Sequence, residues 1–380
     1  NDQLGANRGD YRFAYLTTIG DTDGYRWGVD NDYHRSGRWE GNVGVANLTW
    51  ETVKKANIGL ELGLWNAIEL QADYFKDRRE NIFLQRQTMP GSAGFVQTPF
   101  QNFGIVTNQG IDLSLTANKQ VSKDFLISAR GTFTYAKNKI IEQDEPLGVL
   151  GTNRSSTGYP IGQIFGLQDE GLFTDADFVD GELIEGIPEH TFSKVRPGDI
   201  KYKDVNKDGV INEQDRTYIG NPEPDFTFGF GNSFSYKGFD LSINLTGSVG
   251  NEVVNWGRRE LENPRGNNNI LKSALDYAQL ALIDPNGPDD YRNIQIVGGD
   301  PYACRMAIAK GTDDSNYRFS DRFVEDGSFL RIQSISFGYT FPRKWLAPIG
   351  IQNLKLYCNL QNVYTFTKYK GMDPEIGSAN

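Results

Sequence analysis

Paired segments of strict apolar–polar alternation, joined within each pair by short connections, dominate this chain. In the first, Ile58, Leu60, Leu62 and Leu64 oppose Asn57, Gly59, Glu61 and Gly63. After Trp65-Asn66-Ala67, Ile68, Leu70, Ala72 and Tyr74 oppose Glu69, Gln71, Asp73 and Phe75. The second sets Ile111, Leu113, Leu115 and Ala117 against Asp112, Ser114, Thr116 and Asn118. It continues with Phe125, Ile127, Ala129, Phe133 and Tyr135 against Ser128, Arg130, Thr132 and Thr134. The third turns at Lys237-Gly238, with Phe226, Phe228, Phe230, Phe234 and Tyr236 before it and Phe239, Leu241, Ile243 and Leu245 after it. The fourth has Ile335, Phe337, Tyr339 and Phe341, then Leu354, Leu356, Cys358 and Leu360, across a longer connection that carries Trp345. Neighbouring side chains of a strand point to opposite faces, so each pair is a hairpin with one apolar and one polar surface.

The connections between pairs are long and polar, roughly 76–110, 137–224 and 250–328. Compact soluble domains rarely hold several such loops. An outer-membrane barrel has short turns at one end and long loops at the other. The alternation therefore predicts an all-β chain, an antiparallel transmembrane β-barrel segment of about eight strands, each half-apolar as a spanning strand must be. The expected hairpins cover 49–75, 104–137, 225–249 and 329–362, with 1–48, 138–224 and 250–328 as extracellular loops. Apolar faces would meet the lipid bilayer, and Glu61, Glu69, Asp73, Asp112, Arg130, Asp240 and Lys355 would line the lumen. Trp65, Tyr74, Tyr135, Tyr236, Phe239, Phe341 and Trp345 sit near strand ends, where aromatic girdles belong. A soluble β-sandwich shares the alternation, but not loops gathered on one side of the strand order.

Mean hydropathy is -0.52 and no apolar run reaches the length of a spanning helix, a test that strands escape. The net charge of -10, without a basic stripe, argues against nucleic acid as a partner. Cys304 falls in a polar stretch and Cys358 in a strand, which reads as two unpaired thiols. The start NDQLGANRGD has no signal-segment pattern and the end MDPEIGSAN is loop-like, so both ends look like cuts through a longer protein.

The run from Asp204 to Asp215 matches an EF-hand-type calcium loop. Asp204, Asn206 and Asp208 take the first alternate positions, Gly209 the sharp turn, Val210 the carbonyl position and Asp215 the last. An Asp stands there in place of the usual bidentate Glu, and no helix is evident on both sides. The expectation is a structural Ca2+ that rigidifies an extracellular loop; a metal-free Gly-Asp-Asn turn is the alternative. With His34 and His190 as the only histidines, a zinc site or a Ser-His-Asp triad has little to draw on, and the chain reads as no enzyme. Trp27, Trp39 and Trp256 could stack on sugar rings or simply pack the loops.

Several short stretches resemble the SusC-like TonB-dependent transporters of Bacteroidetes (the SusC/RagA family). They are Asn47–Thr52, Asn57–Leu60, Asn108–Asp112, Gly158–Gly162, Pro197–Asp204 and Ile219–Phe226, then Ser328–Arg331, Phe337–Tyr339, Gln361-Asn362 and Tyr369–Glu375. They run in the family's order along nearly the whole chain. The resemblance implies a barrel of about 22 strands with an N-terminal plug, a TonB-coupling box and a SusD-like lipoprotein lid. On it this chain is the C-terminal part of a Gram-negative outer-membrane importer of oligosaccharides. A peptide importer of the same fold and a soluble calcium-dependent adhesin remain as alternatives.

Overall fold

The computed structural model describes residues 13–95, 97–262, 269–272, 277–287, 293–299 and 316–375. Residues 1–12 of the expected first loop and Cys304 lie outside them. The chain divides into two compact units: residues up to Leu60 with Ala72–Asp112 and Ala136–Ile161, and Glu61–Gln71 with Leu113–Tyr135 and Gly162 onward.

Along the chain, β1 (Ile19–Trp27) and β2 (Tyr33–Glu40) form a hairpin within the stretch expected as loop. β3 (Thr52–Leu64), β4 (Ile68–Gln85), β5 (Phe100–Ser122) and β6 (Phe125–Glu142) follow. Short strands come next: β7 (Ile164–Gly166), β8 (Asp169–Leu172), β9 (Phe178–Val179), β10 (Glu182–Leu183), β11 (Glu189–His190), β12 (Ile200–Tyr202), β13 (Val210–Ile211) and β14 (Thr217–Gly220). The long strands β15 (Phe226–Tyr236) and β16 (Phe239–Val249) precede β17 (Glu252–Val254), β18 (Gln279–Leu282), β19 (Ile294–Gly298) and β20 (Val324–Asp326). The chain then runs through β21 (Phe329–Thr340) and β22 (Lys355–Thr367).

In the second unit, β15, β16, β21 and β22 and the turn-proximal parts of β3 to β6 make an eight-stranded sheet, ordered β22-β21-β16-β15-β6-β5-β4-β3. In it β3 lies beside β4, β5 beside β6, β15 beside β16 and β21 beside β22. The Lys237-Gly238 turn needs positive φ at both residues, and they adopt 46° and 91°.

The strands outrun the alternation that revealed them. The stretch 76–110 is mostly strand, because β4 continues to Gln85 and β5 begins at Phe100, leaving 86–99 as the connection. Charged residues erase the apolar signal there, yet backbone pairing persists where water can solvate them. Lys54 and Arg78 both meet Glu80 at 2.7 Å, and Arg79 meets Glu51 at 3.5 Å. The following connection is pinned by Asp144. Burial disfavours its charge, but Arg86 at 2.7 Å and the Gln87 and Thr88 amides hold its carboxyl below the usual range.

Within 162–224 the polar stretch has a core of its own, built from Leu167, Ile200, Tyr202 and Ile211 with Leu172 and Phe192 against them. β7 pairs β14, β8 pairs β12 and β11 pairs β13 around it. Among the described residues no helix is long and apolar enough to cross a membrane, which says nothing of strands.

Candidate functional site: the polar strand face and the acidic loop

Register in the sheet of the second unit converts alternation into rungs. One polar rung is Ser128–Ser233–Ser242–Ser336–Asn359, the next Arg130–Gly231–Asn244–Ser334–Gln361, and the next Thr132–Gly229–Thr246–Arg331–Thr365. Between them run apolar rungs such as Ile127–Phe234–Leu241–Phe337–Cys358 and Ala129–Asn232–Ile243–Ile335–Leu360. The pattern survives past Gln333 because a register shift between Ile332 and Ser334 resets the phase. Cys358 is therefore a free, exposed thiol on the apolar face.

Hydroxyls and amides of the polar face bond along the rungs. Ser233 and Ser242 approach at 2.6 Å, Asn244 donates to Ser334 at 2.9 Å and Ser128 donates to Asn118 at 2.6 Å. Of the lumen charges expected from sequence, Asp240 and Lys355 form an ion pair of 2.7 Å, and Ser235 donates to Asp240 at 2.9 Å. Arg130 stands in the second rung, Glu61 and Glu69 flank the Trp65 turn, and Asp73 faces Gly59 across β3 and β4, where a Cβ would lie 2.7 Å from its Oδ1. Asp112 keeps its polar position on β5.

Aromatic rungs bound the apolar band. Phe125, Tyr236, Phe239 and Tyr339 make one rim, and Tyr135 with Phe226 the other. Their rings stand side by side, with centroids 4.4 Å apart for Phe239 and Tyr339 and 5.8 Å for Phe125 and Tyr236. The rims are separated by the length of β15, about 34 Å of strand or about 26 Å of height at the usual tilt, which matches a bilayer's apolar thickness in outer membranes.

Sequence reasoning missed a clamp at the loop end of the polar face. Arg331 bonds Thr365 at 2.9 Å and grips Asp373 and Glu375, from beyond β22. Lys370 adds a backbone bond to Glu325 at 2.9 Å. A lone arginine among hydroxyls on β21, followed by an Asp-Pro-Glu run after β22, was the available signal. Nothing local linked the two.

The acidic loop curves as the motif requires. Asp204 accepts from the Lys207, Asp208 and Gly209 amides, and Gly209 has φ 83°. Asn206 accepts from the Asp208 amide, and Asp208 from the Val210 amide. Asp215 is fully buried and accepts from the Val205, Asn206 and Asn212 amides, so it ties the two ends of the loop together. The curvature suits a hard cation, and Asp204, Asn206 and Asp208 keep spare lone pairs. Among the described residues no three His, Cys, Asp or Glu side chains stand together as a metal cluster. Asn206 and the Val210 carbonyl are donors of other kinds.

Behind this loop His190 stacks on Tyr202 at 5.5 Å and meets Phe173 edge-on at 5.4 Å. Burial depresses its pKa to about 4, so it is a neutral packing residue. Of the tryptophans, Trp256 stacks on Phe319 at 5.1 Å with Arg259 over its ring, and Trp39 covers Gly20. Trp27 lies between Tyr25 and Tyr33, at 6.0 and 6.5 Å.

A sheet with one apolar face between aromatic rims, short turns at one end and structured loops at the other is the wall of a membrane barrel. The family model described as TonB dependent receptor-like, beta-barrel matches residues 4–363. The chain belongs to this family. TonB-dependent receptor P3 of Formosa agariphila is 30% identical over 88% of this chain and 31% of its own length. TonB-dependent receptor SusC of Bacteroides thetaiotaomicron is 26% identical over 87% of this chain and 30% of its own. The solved structure of the RagAB peptide transporter superposes with a TM-score of 0.67 at 23% identity, over 96% of this chain and 36% of that one. The chain thus spans about a third of the length of these relatives. As a TonB-dependent receptor barrel it resides in the outer membrane.

Proposed function

We propose that this chain forms part of the wall of a TonB-dependent importer of oligosaccharides, which works with a SusD-like surface lipoprotein. The observation that carries the substrate class is the chemistry of the rungs. Ser, Thr, Asn and Gln dominate the polar face, and they offer donors and acceptors in equal supply to a neutral polyhydroxylated chain. The loops with the lipoprotein lid would capture the glycan, and the rungs would line its way inward once TonB supplies the energy through other parts of the protein. No catalytic step is assigned to any residue.

A peptide is the second reading, favoured by the fold likeness to a peptide transporter. Growth of a deletion strain on single carbon sources separates the two. The glycan reading expects lost growth on at least one oligosaccharide with growth on peptides intact. Lost growth on peptides alone would transfer the assignment, and full growth on every glycan tried would end it.

We also propose that the Asp204–Asp215 loop takes a structural Ca2+ through Asp204, Asn206, Asp208, the Val210 carbonyl and Asp215. Bound there, the ion would supply rigidity and no chemistry. Calorimetric titration of the full-length protein with calcium should give saturable heat that the double substitution Asp204→Asn, Asp208→Asn removes. A wild-type titration without heat refutes the site.

A further inference from the structure

Two segments of the second unit, far apart in sequence, frame a cleft of about 570 Å3. One is 175–197, which holds the β9–β10 hairpin, and the other is 283–295, which leads into β19. They are tied at one point, where both carboxylate oxygens of Asp175 accept from the Ile296 amide, at 3.2 and 3.3 Å. Each wall is stiff for a local reason. β9 and β10 join through the two-residue turn Asp180-Gly181, whose φ values of 53° and 75° suit the twist of a tight hairpin. The second wall is closed by Asn293, which accepts from the Asp284 amide at 2.6 Å and donates to the Gly287 carbonyl at 2.9 Å. The volume lies within the range of small-molecule sites.

The lining joins acceptors to donors. Asp175, Asp180 and Asp284 bring carboxylates, Arg196 and Gln295 bring N–H groups, and Phe178 adds a ring that meets Phe173 edge-on at 5.8 Å. Asp175 and Asp284 already hold backbone amides, whereas the Asp180 and Gln295 side chains make no hydrogen bond or ion pair among the described residues. An acceptor and an amide therefore stand ready in one cleft. An ammonium ligand only donates, and Arg196 repels it. A carboxylate or phosphate only accepts, and three aspartates repel it. A hydroxyl does both. Sugar rings carry hydroxyls at the rim and C–H groups on their faces, and the second kind suits the Phe178 ring. With three carboxylates against one guanidinium, an acidic sugar is disfavoured.

We propose that this cleft binds a neutral sugar ring of the imported glycan, with Asp180 and Gln295 as its hydrogen-bonding groups, and rejects acidic sugars. The proposal rests on the oligosaccharide reading above and adds to it a place in the loops and a charge preference. Both residues bind and orient; neither takes part in chemistry.

The test titrates the detergent-solubilised full-length protein calorimetrically with neutral hexasaccharides built of glucose, xylose, mannose or galactose. Hexagalacturonate is the acidic control and trilysine the cationic one. The wild type should hold at least one neutral chain and reject hexagalacturonate. For that chain Asp180→Asn should raise Kd about ten-fold and Gln295→Ala about five-fold. Asn tolerates the positive φ at position 180, so the protease pattern of 162–220 should stay as in the wild type. A neutral chain held equally by wild type and both variants overturns the cleft and leaves the oligosaccharide reading standing. Preference for hexagalacturonate does the same. Binding of trilysine alone, weakened by Asp180→Asn, makes the cleft an amine site and overturns the proposal. A wild type that holds no saccharide of the set also overturns it, and the growth screen above then decides the oligosaccharide reading by itself.

Discussion

The spanning sheet and the loop segment 162–220 both hold large apolar side chains, but they hide them in opposite ways. Leu356 and Leu360 on β22 are 60% and 51% exposed, while Ile200 and Ile211 in the loop core are 0% exposed. The loop core is a small soluble-type interior. It packs Phe173, His190 and Tyr202 ring against ring and pairs the buried Asp199 with Asn316 at 2.7 Å. The sheet leaves its apolar side chains uncovered by protein, as a wall packed by lipid would. The same residue types therefore obey different rules in one chain, and the contrast can be broken at either end.

The largest expected effect lies in the loop core. Phe173→Ala should cost about 3–5 kcal/mol of local stability through the cavity it leaves. It should appear as rapid hydrogen exchange and proteolysis across 162–220, while the heat-resistant electrophoretic migration of the barrel is unchanged. Loss of barrel migration as well would show that the two regions fold as one.

Next comes the sheet. Ile335→Arg on the apolar face should cost about 2–4 kcal/mol near the bilayer midplane, whereas Ser336→Arg, its neighbour on the polar face, should cost less than about 1 kcal/mol. Folding yield into lipid vesicles measures both. Equal yields would mean that the apolar rungs do not face lipid.

His190 gives a graded effect. Its folded pKa of about 4 lies below the unfolded value of 6.5, because burial opposes the charge. The unfolded state thus binds the proton first, so stability is full above about pH 6.5 and falls as pH drops toward 4, by at most about 3 kcal/mol. Protease sensitivity of 162–220 should rise across this window, and His190→Gln should flatten the rise.

The smallest effect belongs to the Asp240–Lys355 pair, whose side chains are both about half exposed. Lys355→Met should change stability by only about 0.2–1 kcal/mol. A larger loss would show that the lumen side of the sheet has a low-dielectric interior after all.

The rows of the hairpins were readable because alternation is a local property: a side chain two residues on must share a face. This is how Asp240 and Leu241 were assigned to opposite surfaces. The upper half of β4 was not readable, since Lys76, Arg78 and Arg79 remove the apolar signal while the backbone ladder continues. The acidic loop was readable as spacing, and its turn at Gly209 is where the spacing put it. That Asp215 would be sealed beneath the loop by the Val205, Asn206 and Asn212 amides was not, because burial is set by what packs over a residue.

The sequence by itself determined which residues share a face in the four long hairpins, and where their short turns fall, since both follow from period and turn. Only the tertiary structure decided that β6 lies beside β15 and β16 beside β21, across stretches of loop that carry no pairing signal. It likewise decided that Arg331 would be held by Asp373 and Glu375, and that the Ile200 amide would find Asn316, 116 residues away. Contacts between distant residues depend on how the intervening chain closes, and no local pattern of residue types encodes that closure.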